Sequence, residues 1–199
     1  MKKSRGGKAA RTSSTNKASS QIRIIAGRHR GRKLPVLDAE GLRPTTDRVK
    51  ETVFNWLMPY IQDTRCLDCF SGAGSLGFEA LSRGAQQITM IELNRSAAQQ
   101  LSANKTLLKA DNLDVLNTDA LQFLASNQDE FDLVFIDPPF RQGLAQKSID
   151  CLAKQGLATS ALVYIETESE SSDLTVPDTW QLLKEKTAGQ VTYRLFQCD

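Results

Sequence analysis

From residue 65 onward the chain alternates strand-like and helix-like segments, and this order limits the fold more than any other feature. Apolar, strand-like runs occupy 65–70, 87–91, 113–117, 132–136 and 161–165. Between them, at 76–83, 95–109, 120–127 and 144–155, apolar residues recur at helical spacing. Strands joined through helices pair in parallel, so the order predicts a sheet with helices on both faces. The last part differs: 180–186 and 191–197 flank a turn at 187–190, which leaves no room for a helix and predicts an antiparallel hairpin. The expected fold is α/β, a seven-stranded, Rossmann-like, mostly parallel sheet ending in that hairpin.

Upstream the composition changes. Residues 1–20 are low-complexity and hold almost nothing apolar, so a disordered basic tail is expected there. Two short strands at 21–27 and 33–37, around a turn at 29–31, predict a small hairpin. Thr45, Thr46 or Asp47 can cap a helix bearing Val49, Val53, Trp56 and Leu57, which Pro59 ends. The expected division is therefore 1–20 tail, 21–58 hairpin and helix, and 59–199 the sheet domain.

The net charge of +2 conceals a strong asymmetry. Residues 1–37 hold eleven Lys or Arg and no acid, whereas the remainder carries 14 basic and 23 acidic groups. A basic arm on an acidic body suits phosphate-backbone binding. Arg28, Arg30, Arg32 and Lys33 of the hairpin are the candidates for RNA contact, and the alternative is a solvated tail kept for solubility. The acid-free, Arg/Ser-rich start also resembles an organelle transit peptide, but lacks an apolar face at helical spacing.

Several function classes fall away. No run of about 18 apolar residues exists, so no membrane span is expected. The N-terminus has no apolar signal core, and four unevenly spaced cysteines fit a reducing, cytoplasmic setting. Cys66 and Cys69 have zinc-like spacing without a second pair, which favours structural roles, and no metal is expected. The single histidine, His29, rules out histidine-rich metal sites and a serine–histidine triad.

Two motifs carry chemistry. Residues 72–77 read G-A-G-S-L-G directly after a strand and opening a helix, with Glu92 at the end of the next strand. Gly72 and Gly74 let backbone approach a ligand, and the acid can hold ribose hydroxyls. Asp68, Glu92, Asp119 and Asp137 follow the first four parallel strands, on the rim where such sheets bind ligands. A rim of acids, with no Arg or Lys in the glycine loop, suits the sulfonium and ammonium of S-adenosylmethionine and suits a pyrophosphate poorly.

The second motif is Asp137-Pro138-Pro139-Phe140. Two prolines stiffen the backbone and remove two N–H groups, so the stretch offers acceptors only. An exocyclic amine donates two hydrogen bonds, one for the Asp137 carboxylate and one for the Pro138 carbonyl. Phe140 can then stack on a flipped base. The alternative is a strand-ending turn with Phe140 in the core.

Residues 68–77, Asn117-Thr118-Asp119-Ala120 and the DPPF tetrapeptide together resemble the amino-methyltransferases that modify exocyclic nitrogens of bases. The block Arg43–Glu51, with Phe54-Asn55-Trp56-Leu57, narrows this to a resemblance to bacterial 16S ribosomal RNA guanine-N2 methyltransferases, from about residue 21 to the end. The resemblance implies the class I methyltransferase fold, S-adenosylmethionine as cofactor, and 16S rRNA in the small subunit or its assembly intermediate as partner, with the enzyme a monomer. It puts Asp68 and the Gly72 loop at the methionine moiety, Glu92 at the ribose, Asp119 and Ala120 at the adenine, and Arg43 at the methionine end or RNA entrance. Lys50 stands where the family is expected to carry Arg, exchanging a bidentate fork for a point charge. A DNA adenine-N6 methyltransferase shares DPPF, an NAD oxidoreductase shares the glycines and Glu92, and a non-catalytic assembly factor shares the basic arm.

Overall fold

Period-two alternation of buried side chains builds two apolar layers on opposite faces of a single sheet. The computed structural model describes residues 20–37, 47–170 and 174–199; the expected tail at 1–19 and the Arg43 region lie outside them. A short antiparallel pair, β1 (Gln21–Arg23) and β2 (Lys33–Pro35), precedes helix α1 (Asp47–Leu57). The alternating part follows as β3 (Arg65–Asp68), α2 (Ser75–Ser82), β4 (Gln87–Ile91), α3 (Arg95–Leu108), β5 (Leu113–Leu116), α4 (Ala120–Ser126), β6 (Phe131–Ile136), α5 (Leu144–Leu152) and β7 (Leu157–Glu168). Strands β8 (Trp180–Ala188) and β9 (Val191–Cys198) close the chain as a hairpin.

The seven-stranded sheet has the order β5-β4-β3-β6-β7-β9-β8. Its first five strands are parallel and β9 inserts antiparallel between β7 and β8. This is the expected α/β architecture with its terminal hairpin. The chain order reverses between β3 and β6, which places the ligand crevice beyond the C-terminal ends of those strands.

One layer joins Cys66, Leu133, Phe135, Leu162 and Tyr164 to α1, α2, α3 and the N-terminal pair through Phe54, Leu81, Leu101 and Leu34. The other joins Leu67, Val134, Ile136, Val163 and Ile165 to α4 and α5. The N-terminal hairpin and α1 thus share a core with the sheet.

Several elements end a few residues away from their expected bounds, and two of these departures have a visible cause. The first strand was expected over 21–27 and stops at Arg23, although the Ile24 N–H still reaches Arg32 O (2.9 Å). Beyond it the N–H groups of Ile25 and Ala26 donate to the Glu79 carboxylate of α2 (2.8 and 3.0 Å) and leave no ladder to continue. Strand β7, expected over 161–165, runs from Leu157 to Glu168, because β9 pairs it from Ala161 to Glu168. The polar stretch Thr159-Ser160 interrupts the apolar pattern without ending the strand.

Candidate active site

The chain leaving β3 stays stitched to both neighbours before it turns. Cys69 N–H donates to Phe135 O of β6 (3.1 Å), and Ser71 N–H donates to Ile91 O of β4 (2.9 Å). Gly72 and Gly74 then adopt positive φ, 50° and 81°, and swing the chain into α2. At Gly74 a Cβ would come within 2.5 Å of the Phe78 ring and 2.7 Å of Leu101, so conformation and space both require glycine.

Glu92 fixes this loop from the next strand. Its two carboxylate oxygens accept from Gly72 N–H (2.8 Å) and Asn94 N–H (2.7 Å). Asn117 braces the same turn by donating to the carbonyls of Glu92 and Leu93 (2.8 and 2.9 Å). An open hollow beside the loop is walled by Val36 and Leu37, leaving the hairpin, and by Ala97, Gln100 and Leu101 of α3.

Asp68 is buried and accepts from Gly77 N–H (3.1 Å). Burial, then the charges of Asp137 and Glu92, push its carboxyl up to about 7, against the pull of the Gly77 and Phe70 N–H groups. Asp119 caps α4 by accepting from Gln122 N–H (2.9 Å), and Ala120 opens that helix, buried. The cap bond uses Oδ1 of Asp119.

Asp137 directly follows β6 and is half-buried, Pro138 is buried, and Pro139 and Phe140 are exposed. Phe140 is 41% exposed, which removes the core reading of this ring. The next residue, Arg141, has φ 61°, and its N–H is held by the Glu168 carboxylate at the end of β7. A carboxylate clasp on a left-handed residue thus holds the loop that carries Phe140.

Glu166 also belongs to this rim: an acid near the expected end of β7 can be read from sequence as functional or as solvated, and it is neither solvated nor terminal. It is 5% exposed inside β7, accepts from the Tyr164 hydroxyl (2.5 Å), and sits one residue past the Ile136–Ile165 register pair, beside Asp137. Burial and the Asp137 charge push its carboxyl up to about 8, and burial raises the Tyr164 hydroxyl in turn. Register shows why these acids meet. Asp68 pairs with Phe135 and Glu166 with Tyr193, so both project on the side where α1 to α3 pack.

Lys50, which stands where the family is expected to carry Arg, has a structural role. It is buried, its ammonium donates to Arg23 O, and it lies 3.7 Å from Asp47 and 3.9 Å from Glu79. It therefore ties β1 to α1 and α2. Arg28, Arg30, Arg32 and Lys33 are exposed, but the fold does not bring them to the acidic rim. The Arg28 N–H bonds Ser82 O at the end of α2, and the Arg32 guanidinium bonds Leu107 O at the end of α3, the ends remote from the glycine loop. Cys66 and Cys69 are buried free thiols raised by burial, Cys66 to about 12, as structural roles require.

With this geometry, the similarities to known proteins are specific. The family described as Conserved hypothetical protein 95 matches residues 22–197. Ribosomal RNA small subunit methyltransferase D of Escherichia coli (strain K12) is 56% identical over 180 residues, covering 90% of this chain and 91% of that protein. The chain belongs to the ribosomal RNA small subunit methyltransferase D family. The Haemophilus influenzae methyltransferase D is 54% identical over 188 residues, covering 92% and 97% of the two chains. A solved Escherichia coli protein, yhhF, described provisionally as a methyltransferase, superposes with a TM-score of 0.86 at 53% identity, covering 90% of this chain and 99% of its own. The methyltransferase D family implies S-adenosylmethionine as cofactor, and the fold is that of class I methyltransferases.

The site fits that cofactor. Asp68 is buried beside the glycine loop, its carboxyl raised by burial and then by the charges of Asp137 and Glu92, and a sulfonium or ammonium placed beside these acids would offset their mutual repulsion. The Ser75 hydroxyl, buried at the start of α2 without a partner, adds a polar group beside the loop. Among the described residues no helix is long and apolar enough to cross a membrane.

Proposed function

We propose that this chain transfers a methyl group from S-adenosylmethionine to the exocyclic N2 of a guanine in 16S ribosomal RNA of the small subunit, as a cytoplasmic enzyme. The observation that carries the reading is the pairing of two adjacent acceptors, the Asp137 carboxylate and the Pro138 carbonyl, with an exposed Phe140 ring, directly beside the buried acids Asp68 and Glu166. The methyltransferase D relatives, named for small-subunit ribosomal RNA, support the substrate.

S-Adenosylmethionine, when bound, supplies the methyl group on a sulfonium. Glu92 would hold the ribose hydroxyls while keeping the Gly72 loop in place, Asp68 would face the methionine end, and Asp119 with Ala120 the adenine. The guanine amine is a poor nucleophile because its lone pair is delocalised into the ring. Asp137 and the Pro138 carbonyl would each accept one N–H, favouring a pyramidal nitrogen with its lone pair aimed at the methyl carbon. Positioning of this kind contributes about 7–11 kcal/mol in favourable cases. The fixed carboxylate would also stabilise the positive charge that builds on nitrogen as the N–C bond forms and the S–CH3 bond breaks, leaving a neutral thioether, and the surplus amine proton would then pass to solvent. Phe140 would stack on the base, and the Arg141–Glu168 clasp would keep the ring in place.

Mass-spectrometric mapping of methylated nucleosides in small-subunit RNA, with and without this protein, tests the reading. An N2-methylguanine that depends on the protein is expected. Methylated adenine instead would favour the adenine-N6 alternative, and no methylated nucleoside would favour the assembly factor.

A further inference from the structure

The acids of the rim set a charge problem for any RNA that reaches them. Asp68, Asp137 and Glu166 lie close enough to raise one another's carboxyls, and Glu92 adds to the same field. A phosphate backbone that delivers a base here meets repulsion unless a cation lies beside that base. The hairpin does not supply it. Strand β2 runs back along α3, with Pro35 O accepting from the Asn104 amide (2.9 Å) and Arg32 donating to Leu107 O (3.2 Å), so its charges sit at the far end of that helix.

The arginines from β3 onward are of two kinds. Arg65, Arg83 and Arg194 each pair with a carboxylate, those of Asp132 (3.5 Å), Glu79 (2.8 Å) and Glu185 (2.5 Å). Arg95 and Arg141 are exposed, and neither pairs with a carboxylate among the described residues. Arg95 opens α3 on the cofactor side, next to Asn94 and Glu92. Arg141 directly follows Phe140, on the side of the base.

The backbone holds Arg141 in a conformation that its own Cβ disfavours. Its φ is 61°, where the Cβ crowds the following carbonyl. Gly143, two residues on, takes almost the same φ, 63°, with the residue that does so freely. The loop thus uses glycine where it needs only the conformation, and at 141 it keeps a long cationic side chain as well. Asp63 and Lys109, also left-handed, give their N–H groups to the backbone carbonyls of Gly84 (3.0 Å) and Thr106 (3.1 Å). Arg141 N–H goes instead to the Glu168 carboxylate at the end of β7. A charged acceptor makes the stronger bond, and it fixes the root of the side chain before any ligand arrives.

We propose that the Arg141 guanidinium binds a phosphate next to the target guanine, and that the Glu168 clasp on its backbone aims it there. The proposal rests on the reading of the substrate as a guanine in RNA. The edge of the base that the site holds decides between phosphate and base as the arginine's partner. The N2 amine lies on the minor-groove edge, beside the sugar, whereas O6 and N7 lie on the opposite edge. A guanine held by its amine at Asp137 and Pro138, with its face on Phe140, therefore brings its own sugar and phosphates to this loop and turns O6 and N7 away. The planar guanidinium presents paired N–H groups that match two phosphate oxygens. The same contact offsets the repulsion between that phosphate and Asp137, so the base enters the acidic rim with its backbone anchored.

Methyl transfer to small ribosomal subunits that lack the modification, with KM for the subunit measured at graded salt, tests this on the full chain. Arg141→Gly suits the φ, keeps the N–H for Glu168 and removes only the side chain. Its KM should rise about tenfold at low salt, the loss expected for one hydrogen-bonded charge, with kcat at saturation nearly unchanged. Its log KM should depend on log salt with a slope shallower by about 0.7–0.9, one phosphate's worth. Arg141→Lys keeps the charge without the fork, so it should hold the wild-type slope and recover part of KM. Should the glycine variant melt early, Arg141→Asn, whose short side chain also accepts a left-handed φ, carries the same test. An arginine that only shapes the loop would leave the slope unmoved and would not be rescued by lysine. That result, or a wild-type KM in a folded variant, would overturn the proposal. A wild type that transfers no methyl group to small-subunit RNA would instead overturn the proposed function, whereas methylation with equal slopes in all variants defeats this contact alone.

Discussion

The Lys50 ammonium lies 3.9 Å from the Glu79 carboxylate, and both side chains are almost completely buried beneath the N-terminal hairpin. Glu79 also accepts from Ile25 N–H, Ala26 N–H and Arg83 Nε (2.8, 3.0 and 2.8 Å). Burial lowers the Lys50 ammonium's proton affinity while Glu79 and Asp47 oppose that drop, so its charge depends on these partners. Removing one partner of a buried pair strands the other, at about 3–5 kcal/mol. Glu79→Ala should therefore destabilise the fold by that amount in urea denaturation and speed hydrogen exchange at Ile25 and Ala26. An unchanged midpoint with protected amides would contradict this role.

Asp137 contacts the base amine in the proposed chemistry and the cofactor only indirectly. Asp137→Ala should abolish methyl transfer, and Asp137→Asn, which has one acceptor oxygen fewer, should reduce it by orders of magnitude. Cofactor affinity by calorimetry should stay within a few fold. If cofactor binding collapses and turnover per bound complex survives, the role belongs to the cofactor site instead.

Phe140 is exposed beside that carboxylate, so its removal costs the fold little. Phe140→Ala should lose about 1–3 kcal/mol of base stacking, read as a raised KM for RNA. Phe140→Tyr should be mild. Equal melting temperatures for all three proteins, with KM unmoved, would mean that the ring touches no base.

The strand order, the glycine turn and the DPPF loop were legible because each rests on local pattern: alternation, positive-φ glycines, paired prolines. The clasp between Glu79 and the hairpin joins residues 53 and 54 positions apart, and nothing in either segment announces the other. Glu166 is hard to place from its sequence for a related reason. An acid near a strand end reads as solvated until the antiparallel partner, Tyr193 of β9, extends the strand and buries it. The charges of Arg28 to Lys33 were plain, but their distance from the rim was not, because it depends on the direction in which β2 runs along α3.

The raised acids make stability depend on pH with a definite sign. Glu166 is raised from 4.5 to about 8 and Asp68 from 3.8 to about 7, by burial first and then by neighbouring carboxylates. Above pH about 4.5 the unfolded chain has released these protons while the native state still holds them. Stability therefore falls as pH rises through that window and levels off above about 8, by at most about 1.4 kcal/mol per pH unit for each group. Melting curves from pH 5 to 9 without cofactor should show a shallower fall for Glu166→Gln than for wild type. Identical slopes would refute the assignment to Glu166.

Glu92 combines two tasks that one pair of substitutions separates. Its carboxylate holds the Gly72 and Asn94 N–H groups and, in the proposed site, the ribose hydroxyls. A hydrogen bond to a charged acceptor is worth about 1.5–3 kcal/mol, so Glu92→Ala should weaken S-adenosylmethionine by more than tenfold. Glu92→Gln keeps one acceptor oxygen but turns the other into a donor, which faces either Gly72 N–H or Asn94 N–H. It should therefore loosen the loop as well as the ribose contact, and fall between wild type and alanine only if the side chain can turn away. Because neither task touches the reacting nitrogen, saturating cofactor should restore most of kcat in both variants. Calorimetry for affinity and initial rates at saturating cofactor decide the matter. Failure of saturation to recover kcat in a folded variant would move Glu92 from cofactor binding into the chemical step.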